Sequence, residues 1–129
     1  MQRQSGVHRA GRLWVGGQGE TDIHALLTAA RAVKASDVHI MPGTPIYFRI
    51  DGVLQPFTKD VLSASMARHL SCALLSERQV ATLDEQLDFD LMCADVDQQR
   101  YRINVGYSNG SVGAVIRLLP NAPIPLEDL

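Results

Sequence analysis

The chain has 129 residues, of which 46% are hydrophobic, and its formal net charge is −2. This length fits a single domain with its own core, and the charge argues against a broad nucleic-acid-binding patch. No apolar run approaches the ~20 residues of a membrane span, and the polar start of the chain lacks the apolar stretch of a signal peptide.

Residues 1–20 differ in composition from the rest of the chain. They are rich in glycine, they include Arg3, Arg9 and Arg12, and their largest apolar residue is Trp14. We expect residues 1–20 to form a flexible arm. They could equally be residues added for expression, or a displaced linker.

The first predicted helix begins at Thr21, a suitable N-cap, followed by Asp22 at the positive end of the helix dipole. Apolar side chains then recur at helical spacing along one face, at Ile23, Leu26, Leu27, Ala30 and Val33. This spacing indicates an amphipathic helix that packs on a core.

Three short strands are predicted next. Residues 36–40 alternate between polar and apolar side chains, as a half-buried strand does. Residues 46–50 and 53–57 flank Asp51-Gly52, a pair typical of a two-residue hairpin loop. Pro56 cannot donate a backbone hydrogen bond, so it places the third strand at a sheet edge.

Two helices follow in the pattern. The first covers residues 63–75, and its apolar stripe consists of Met66, Leu70, Ala73 and Leu74. The second opens at Ser76 with Gln79 three residues later, the pattern of a capping box. Its apolar positions are Val80, Leu83 and Leu87.

The last part of the chain predicts three antiparallel strands, and Asn109-Gly110 fixes the final hairpin. Asn-Gly favours a two-residue type I′ loop, which aligns residues 100–108 with residues 111–119. One face of the hairpin then contains only apolar pairs, namely Tyr107 with Val112, Val105 with Ala114, Ile103 with Ile116 and Tyr101 with Leu118. On the other face Arg102 lies opposite Arg117, with Arg100 diagonal to Arg117.

Like charges that face each other destabilise a strand pair, so this face needs an anion. The sequence leaves two sources open. Asp88 and Asp90, in the preceding acidic strand, could neutralise Arg102 and Arg100 in exposed salt bridges. Alternatively, the arginines could hold a phosphate, which a guanidinium binds in a bidentate manner.

The element order αβββααβββ predicts an α+β domain, an antiparallel sheet with helices packed on one face.

The sequence does not indicate a metal site, a disulfide or a phosphate loop. Cys72 and Cys93 have no metal-ligand spacing and fit a reducing cytosol, and the histidines form no zinc motif, with His39 expected on the strand surface. Neither lysine, Lys34 or Lys59, belongs to a GxxxxGK[ST] phosphate loop, so we expect the chain alone to be inactive as an ATPase.

Several motifs, taken in order, resemble the amino-terminal domain of type IV pilus retraction ATPases, the PilT family. They are Ala35-Ser36-Asp37-Val38-His39-Ile40, Pro42-Gly43-Thr44-Pro45, Arg49-Ile50-Asp51-Gly52, Asp88-Phe89, Arg100-Tyr101-Arg102-Ile103-Asn104 and Gly113-Ala114-Val115-Ile116-Arg117-Leu118-Leu119-Pro120. Ile124-Pro125-Leu126-Glu127-Asp128-Leu129 resembles the segment that precedes the family's ATPase domain. The broader superfamily includes type II and type IV secretion ATPases.

The resemblance implies a PAS-like domain over residues 21–119 and a linker over 120–129 toward an ATPase domain that this chain lacks. It implies a cytoplasmic homo-hexameric motor for twitching motility, which uses ATP and Mg²⁺ and works at an inner-membrane pilus or secretion platform protein. In the family, arginines of this domain approach nucleotide phosphates on a neighbouring ATPase domain. Arg102 and Arg117 match those positions, and Arg100 is a third candidate. The alternative is a stand-alone PAS-like sensor, a ligand-binding module or an oligomerisation module.

Overall fold

The computed structural model describes residues 20–94 and 98–120. The elements are α1 Glu20–Ala32, β1 Asp37–Ile40, β2 Tyr47–Ile50, β3 Val53–Pro56, α2 Ala64–Cys72, α3 Glu77–Gln86, β4 Asp88–Ala94, β5 Arg100–Ser108 and β6 Ser111–Leu118. Their order is the predicted one. The predicted arm before Glu20 and the predicted linker after Pro120 lie outside the described residues.

The six strands form one sheet in the order β3-β2-β1-β6-β5-β4, and all neighbours are antiparallel. Inward-facing residues of β1, β5 and β6 share one core with the three helices. Its largest fully buried side chains are Ile23, Leu26, Leu27, Ile40, Ile46, Leu70, Leu83, Ile103, Ile116, Val38 and Val105. The predicted α+β class is confirmed, and the architecture is compatible with a PAS-like domain.

Both predicted two-residue loops are present. Asn109 and Gly110 have φ angles of 56° and 79°, and Asp51 and Gly52 have φ angles of 52° and 80°. Positive φ at both central positions is what a type I′ turn requires. Each loop sets the register of its strands, and every pair predicted for the last hairpin is observed. The edge position predicted from Pro56 is also confirmed, because β3 is the first strand of the sheet.

The helix ends differ from the predicted ones in small ways. Helix α1 begins at Glu20, one residue before the predicted cap Thr21, and α2 stops at Cys72 rather than at residue 75. The capping box of Ser76 and Gln79 is confirmed. No helix in the described part of the chain is long and apolar enough to cross a membrane.

Leu87 was predicted on the apolar stripe of the third helix, and this prediction is wrong. Leu87 instead caps α3 in a left-handed conformation, with φ of 70°, and it is 54% exposed. The physical reason is the immediate change from helix to strand, since β4 begins at the next residue. A left-handed residue at the helix end makes that sharp reversal possible.

Beneath the sheet, a polar contact joins α2, α3 and β5. Arg68 donates to both carboxylate oxygens of Asp84, with both N–O distances 3.0 Å, and its Nη1 also donates to the Tyr107 hydroxyl at 2.9 Å. The Tyr107 hydroxyl in turn donates to Asp84. Hydrogen bonds from Arg68 and then from Tyr107 hold the pKa of Asp84 below its ordinary value.

We expect this contact to stabilise the domain in a pH-dependent way. Because the folded-state pKa of Asp84 is below the ordinary 3.8, its contribution is full above that value and is lost as the pH falls through the folded-state pKa. The unfolding free energy of Asp84→Asn should therefore be lower than wild type at neutral pH, and the difference should shrink in acid. Urea unfolding at a series of pH values measures this difference.

Glu85→Gln is the matched control, because Glu85 lies next to Asp84 on α3 and is exposed. It should show no comparable pH-dependent difference. A loss for Asp84→Asn that stays constant down to strongly acid pH would contradict the ionic role of Asp84.

Candidate phosphate site on the outer face of the sheet

The face of the sheet away from the helices, here called the outer face, carries one charged row across four strands. The register places Arg49 of β2 beside Asp37 of β1, Asp37 beside Arg117 of β6, and Arg117 beside Arg102 of β5. Each of these strands turns its alternate, apolar residues to the core. These four residues are called the arginine row below.

The predicted opposition of Arg102 and Arg117 is confirmed. Their side chains are 57% and 65% exposed, so both guanidinium groups can reach an external anion. Each guanidinium only donates hydrogen bonds and stays protonated. The row therefore suits an anionic group rich in acceptor oxygens, such as a phosphate.

Asp37 is the residue that sequence reasoning missed. Its Oδ1 accepts from Arg117 Nε at 3.2 Å, and its Oδ2 lies 3.3 Å from Arg49 Nε. Asp37 is only 6% exposed, so this carboxylate is shared between two arginines at a largely buried position. The alternation of residues 36–40 did place Asp37 on the polar face. That β1 lies next to β6 could not be read from the sequence.

The salt-bridge alternative is confirmed for one of its two pairs. Asp90 Oδ2 accepts from Arg102 Nη2 at 3.2 Å, with the Asp90 side chain 45% exposed. Such an exposed pair contributes about 0–1 kcal/mol to stability. Asp88 lies opposite Gly106 and forms no ion pair among the described residues, so the expected pairing of Asp88 and Asp90 with both arginines is only half present.

Arg100, the third candidate, lies at the start of β5 opposite Ala94. Its carbonyl oxygen accepts from Arg31 Nη2 at 3.0 Å, which ties helix α1 to this end of the sheet. Its Nε is buried and has no hydrogen-bond partner within the described residues. Arg100 thus shares the outer face with Arg102 and remains a candidate.

The formal charge of the site is positive. Arg49, Arg102 and Arg117 bring three positive charges, and Asp37 and Asp90 bring two negative ones, which leaves +1. The row is therefore not neutralised internally. Among residues 20–94 and 98–120, no group of three His, Cys, Asp or Glu side chains could hold a metal ion.

His39, predicted on the strand surface, lies on the outer face between Tyr47 and Val115, and it is half-buried. Burial lowers its pKa, although nearby Asp37 acts in the opposite direction. The lowered pKa favours the neutral form of the His39 imidazole beside the arginine row.

Next to the row, the outer face has a hollow of about 190 Å³. Its lining includes Gly106 and Gly113, which lie directly opposite each other on β5 and β6. Met41, Pro42 and Asn104 also line it, and Asn104 lies two residues from Arg102 along β5. The outer face thus combines a cationic row with a recess.

Comparison with known proteins links this sheet to a group of motor ATPases. The chain is 28% identical over 108 residues to the type IV pilus retraction ATPase PilT of Pseudomonas aeruginosa, a match that covers 84% of this chain and 31% of PilT. It is 27% identical over 94 residues to the type IV pilus ATPase PilU of the same organism, covering 73% of this chain and 25% of PilU. The chain thus spans about a third or less of the length of these relatives. No protein-family model matches it.

Solved structures show the same fold. The crystal structure of the pilus retraction motor PilT with bound ADP matches with a TM-score of 0.69 and 29% identity, covering 81% of this chain and 31% of that one. The ATPase DotB of Legionella pneumophila matches with a TM-score of 0.69 and 24% identity, covering 84% of this chain and 31% of DotB, and this second match supports the fold alone. In sequence and in fold, this chain is a domain similar to the amino-terminal domain of PilT-like secretion ATPases.

Proposed function

We propose that this chain is the amino-terminal domain of a hexameric pilus-retraction or secretion ATPase, and that its arginine row contacts a nucleotide held by a neighbouring ATPase domain. The observation that carries the proposal is the pair Arg102 and Arg117, directly opposite on adjacent strands and both more than half exposed. This pair occurs in a domain similar to that of PilT, whose crystal structure contains bound ADP.

The chemistry of phosphoryl transfer explains why two arginines would be useful there. Negative charge is spread over the oxygens of the transferred phosphoryl group, and preorganised cations stabilise it. The arginine row together with Asp90 keeps a formal charge of +1, which still attracts such a group. Arg102 and Arg117 would supply the contacts, with Arg100 as a third candidate.

The same contacts would couple chemistry to movement. Arginines that bind the γ-phosphate favour the arrangement in which this domain lies close to the nucleotide, and loss of that phosphate removes the favourable contact. The domain would then rotate away from the neighbouring ATPase domain. This coupling is the mechanical part of the proposal.

The nucleotide-binding site and the membrane partner would belong to other parts of the proposed motor. This chain has no glycine-rich phosphate loop, so ATP and Mg²⁺ would be held by the ATPase domains of the same and neighbouring subunits. The motor would be cytoplasmic and would act on an inner-membrane pilus or secretion platform protein. The net charge of −2 argues against a broad basic surface for a nucleic-acid partner.

A filled core gives the sensor alternative less support. A ligand-binding PAS-like sensor needs space between the sheet and the helices. Here Ile103, Val105 and Ile116, on the inner face of the sheet, are at most 1% exposed and pack against the helices. The hollow described above opens on the outer face instead.

The chain alone should neither hydrolyse ATP nor bind it tightly. A few arginines without backbone amides of a phosphate loop and without a magnesium ligand make a poor triphosphate site. Phosphate release and calorimetric titration with Mg-ATP on the purified chain measure both properties. Specific turnover, or micromolar affinity, would show that the chain has a nucleotide site of its own. It would contradict the proposal that the ATPase domains hold the nucleotide.

The proposal itself is tested by ATP turnover in a protein that joins this domain to an ATPase domain. Wild type is compared with variants that lack Arg102 or Arg117.

A further inference from the structure

The two exposed arginines of the row are held in different ways by their carboxylates. Asp37 contacts Arg117 through Nε, the nitrogen nearest the aliphatic stem, at 3.2 Å. Asp90 contacts Arg102 through Nη2, one of the two terminal nitrogens, at 3.2 Å. The terminal edge of Arg117 therefore stays open, whereas part of the terminal edge of Arg102 is occupied.

The two carboxylates also differ in how firmly they are fixed. The Asp37 side chain is 9% exposed, and its Oδ2 accepts from Ser36 Oγ at 3.2 Å and lies 3.3 Å from Arg49 Nε. Arg49 is fixed in turn, because its Nη1 donates to the carbonyl oxygen of Gly52 at 3.1 Å. The Asp90 side chain is 45% exposed, and its contact among the described residues is the one to Arg102.

We infer that Asp37 is a positioning residue that presents the terminal edge of Arg117 to a phosphate, whereas Asp90 is a competitor that a phosphate must displace from Arg102. This inference rests on the proposed function, since it concerns the same phosphate contact. Contact through Nε restricts the rotation of the Arg117 side chain and leaves Nη1 and Nη2 free for two parallel hydrogen bonds. A cation held in place in this way loses less freedom when it binds an anion.

Arg49 has a supporting part in this arrangement. Two arginines around one carboxylate leave the Arg49–Asp37–Arg117 group with a formal charge of +1, so Asp37 can orient Arg117 without cancelling the attraction for an anion. Because a buried carboxylate without a partner is strongly unfavourable, Arg49 also helps to hold the Asp37 side chain in place. Asp90, by contrast, pairs with one arginine among the described residues, which is Arg102.

The test compares Asp37→Asn with Asp90→Asn, using inorganic tripolyphosphate as the probe and nuclear magnetic resonance of the ¹⁵N-labelled chain as the readout. Each variant removes one negative charge, so a simple charge effect would strengthen binding in both. We expect Asp90→Asn to bind about 2–5-fold more tightly than wild type, because the competing ion pair is removed. We expect Asp37→Asn to bind at least about threefold more weakly, because Arg117 loses its orientation.

A measurement on wild type covers the case in which Asp37→Asn does not fold. The Nε–Hε signal of Arg117, assigned by its loss in Arg117→Lys, should keep the position of a carboxylate-bound group throughout the titration. Movement of that signal to the position of a free arginine at saturation would overturn the inference. Tighter binding by Asp37→Asn, or no binding of tripolyphosphate to wild type, would overturn it as well.

These results are separable from those that test the proposed function. If turnover falls with Arg117→Ala but the two aspartate variants bind the probe equally well, the positioning role is wrong and the proposed function stands. If the aspartate variants differ in the expected directions but Arg117→Ala leaves turnover unchanged, the positioning role of Asp37 is correct and the proposed function is wrong.

Discussion

Arg102→Ala and Arg117→Ala should each lower ATP turnover by at least about tenfold in a protein that joins this domain to an ATPase domain. Removal of an arginine that stabilises the transition state costs about 10³-fold or more in well-studied phosphoryl-transfer enzymes. A tenfold loss is thus a conservative expectation for the proposed phosphate contact. Steady-state phosphate release at saturating Mg-ATP is the measurement, made on variants shown to assemble as wild type does.

Arg78→Ala is the matched control for these variants. Arg78 is exposed on α3, on the opposite side of the sheet from the arginine row, and its side chain forms no hydrogen bond or ion pair with the described residues. Its removal changes the net charge by the same amount and should leave turnover unchanged. Wild-type turnover in both Arg102→Ala and Arg117→Ala would show that the two arginines contribute only to the structure of the sheet and not to catalysis.

The thermal stability of the domain independently tests how Arg102 and Arg117 contribute to the folded structure. Removal of Arg102 relieves its repulsion from Arg117 and breaks one exposed ion pair, so thermal stability should change little. Removal of Arg117 takes one of two cationic partners from the largely buried Asp37, which the sequence pattern alone did not anticipate. A modest loss of stability is expected there, while Arg49 remains to hold the carboxylate.

Gly113→Ala should destabilise the domain by about 1–3 kcal/mol, as a forced steric contact in a packed region does. A Cβ atom at this position would lie 2.7 Å from the carbonyl oxygen of Ile40 and 3.5 Å from the Cα of Met41. Both neighbours are backbone atoms, and Ile40 is paired with Ala114 in the ladder between β1 and β6, so the strands themselves would have to move apart. Thermal unfolding followed by circular dichroism should show a melting temperature lower by roughly 5–15 °C.

Gly106→Ala is the control, because Gly106 lies directly opposite Gly113 on the same face. A Cβ atom there would lie 3.7 Å from the carbonyl oxygen of Leu87 and 3.8 Å from the Cβ of Asp88, which are ordinary contacts. Because glycine within a strand is less favourable than alanine by about 0.5–1 kcal/mol, this variant should be neutral or slightly more stable. Equal destabilisation of both variants would contradict the close approach of β1 to β6.

Much of the fold followed from local sequence signals. Asn109-Gly110 and Asp51-Gly52 each favour one turn type, and that turn fixes the register of the two strands it joins. Ser76 and Gln79 identified the start of α3 by the hydrogen bonds that only a helix terminus offers. The element order and the α+β class were therefore predictable, because each signal acts over a few residues.

The sequence also determined half of the candidate site, namely the opposition of Arg102 and Arg117, since both belong to one hairpin. The other half depended on the order of the strands, which is set by how the whole core packs. That order places β1 beside β6 and so brings Asp37 to Arg117, 80 residues apart in the chain. A carboxylate can hold an arginine only when packing brings them within hydrogen-bond distance, and local patterns contain no information on such a distant neighbour.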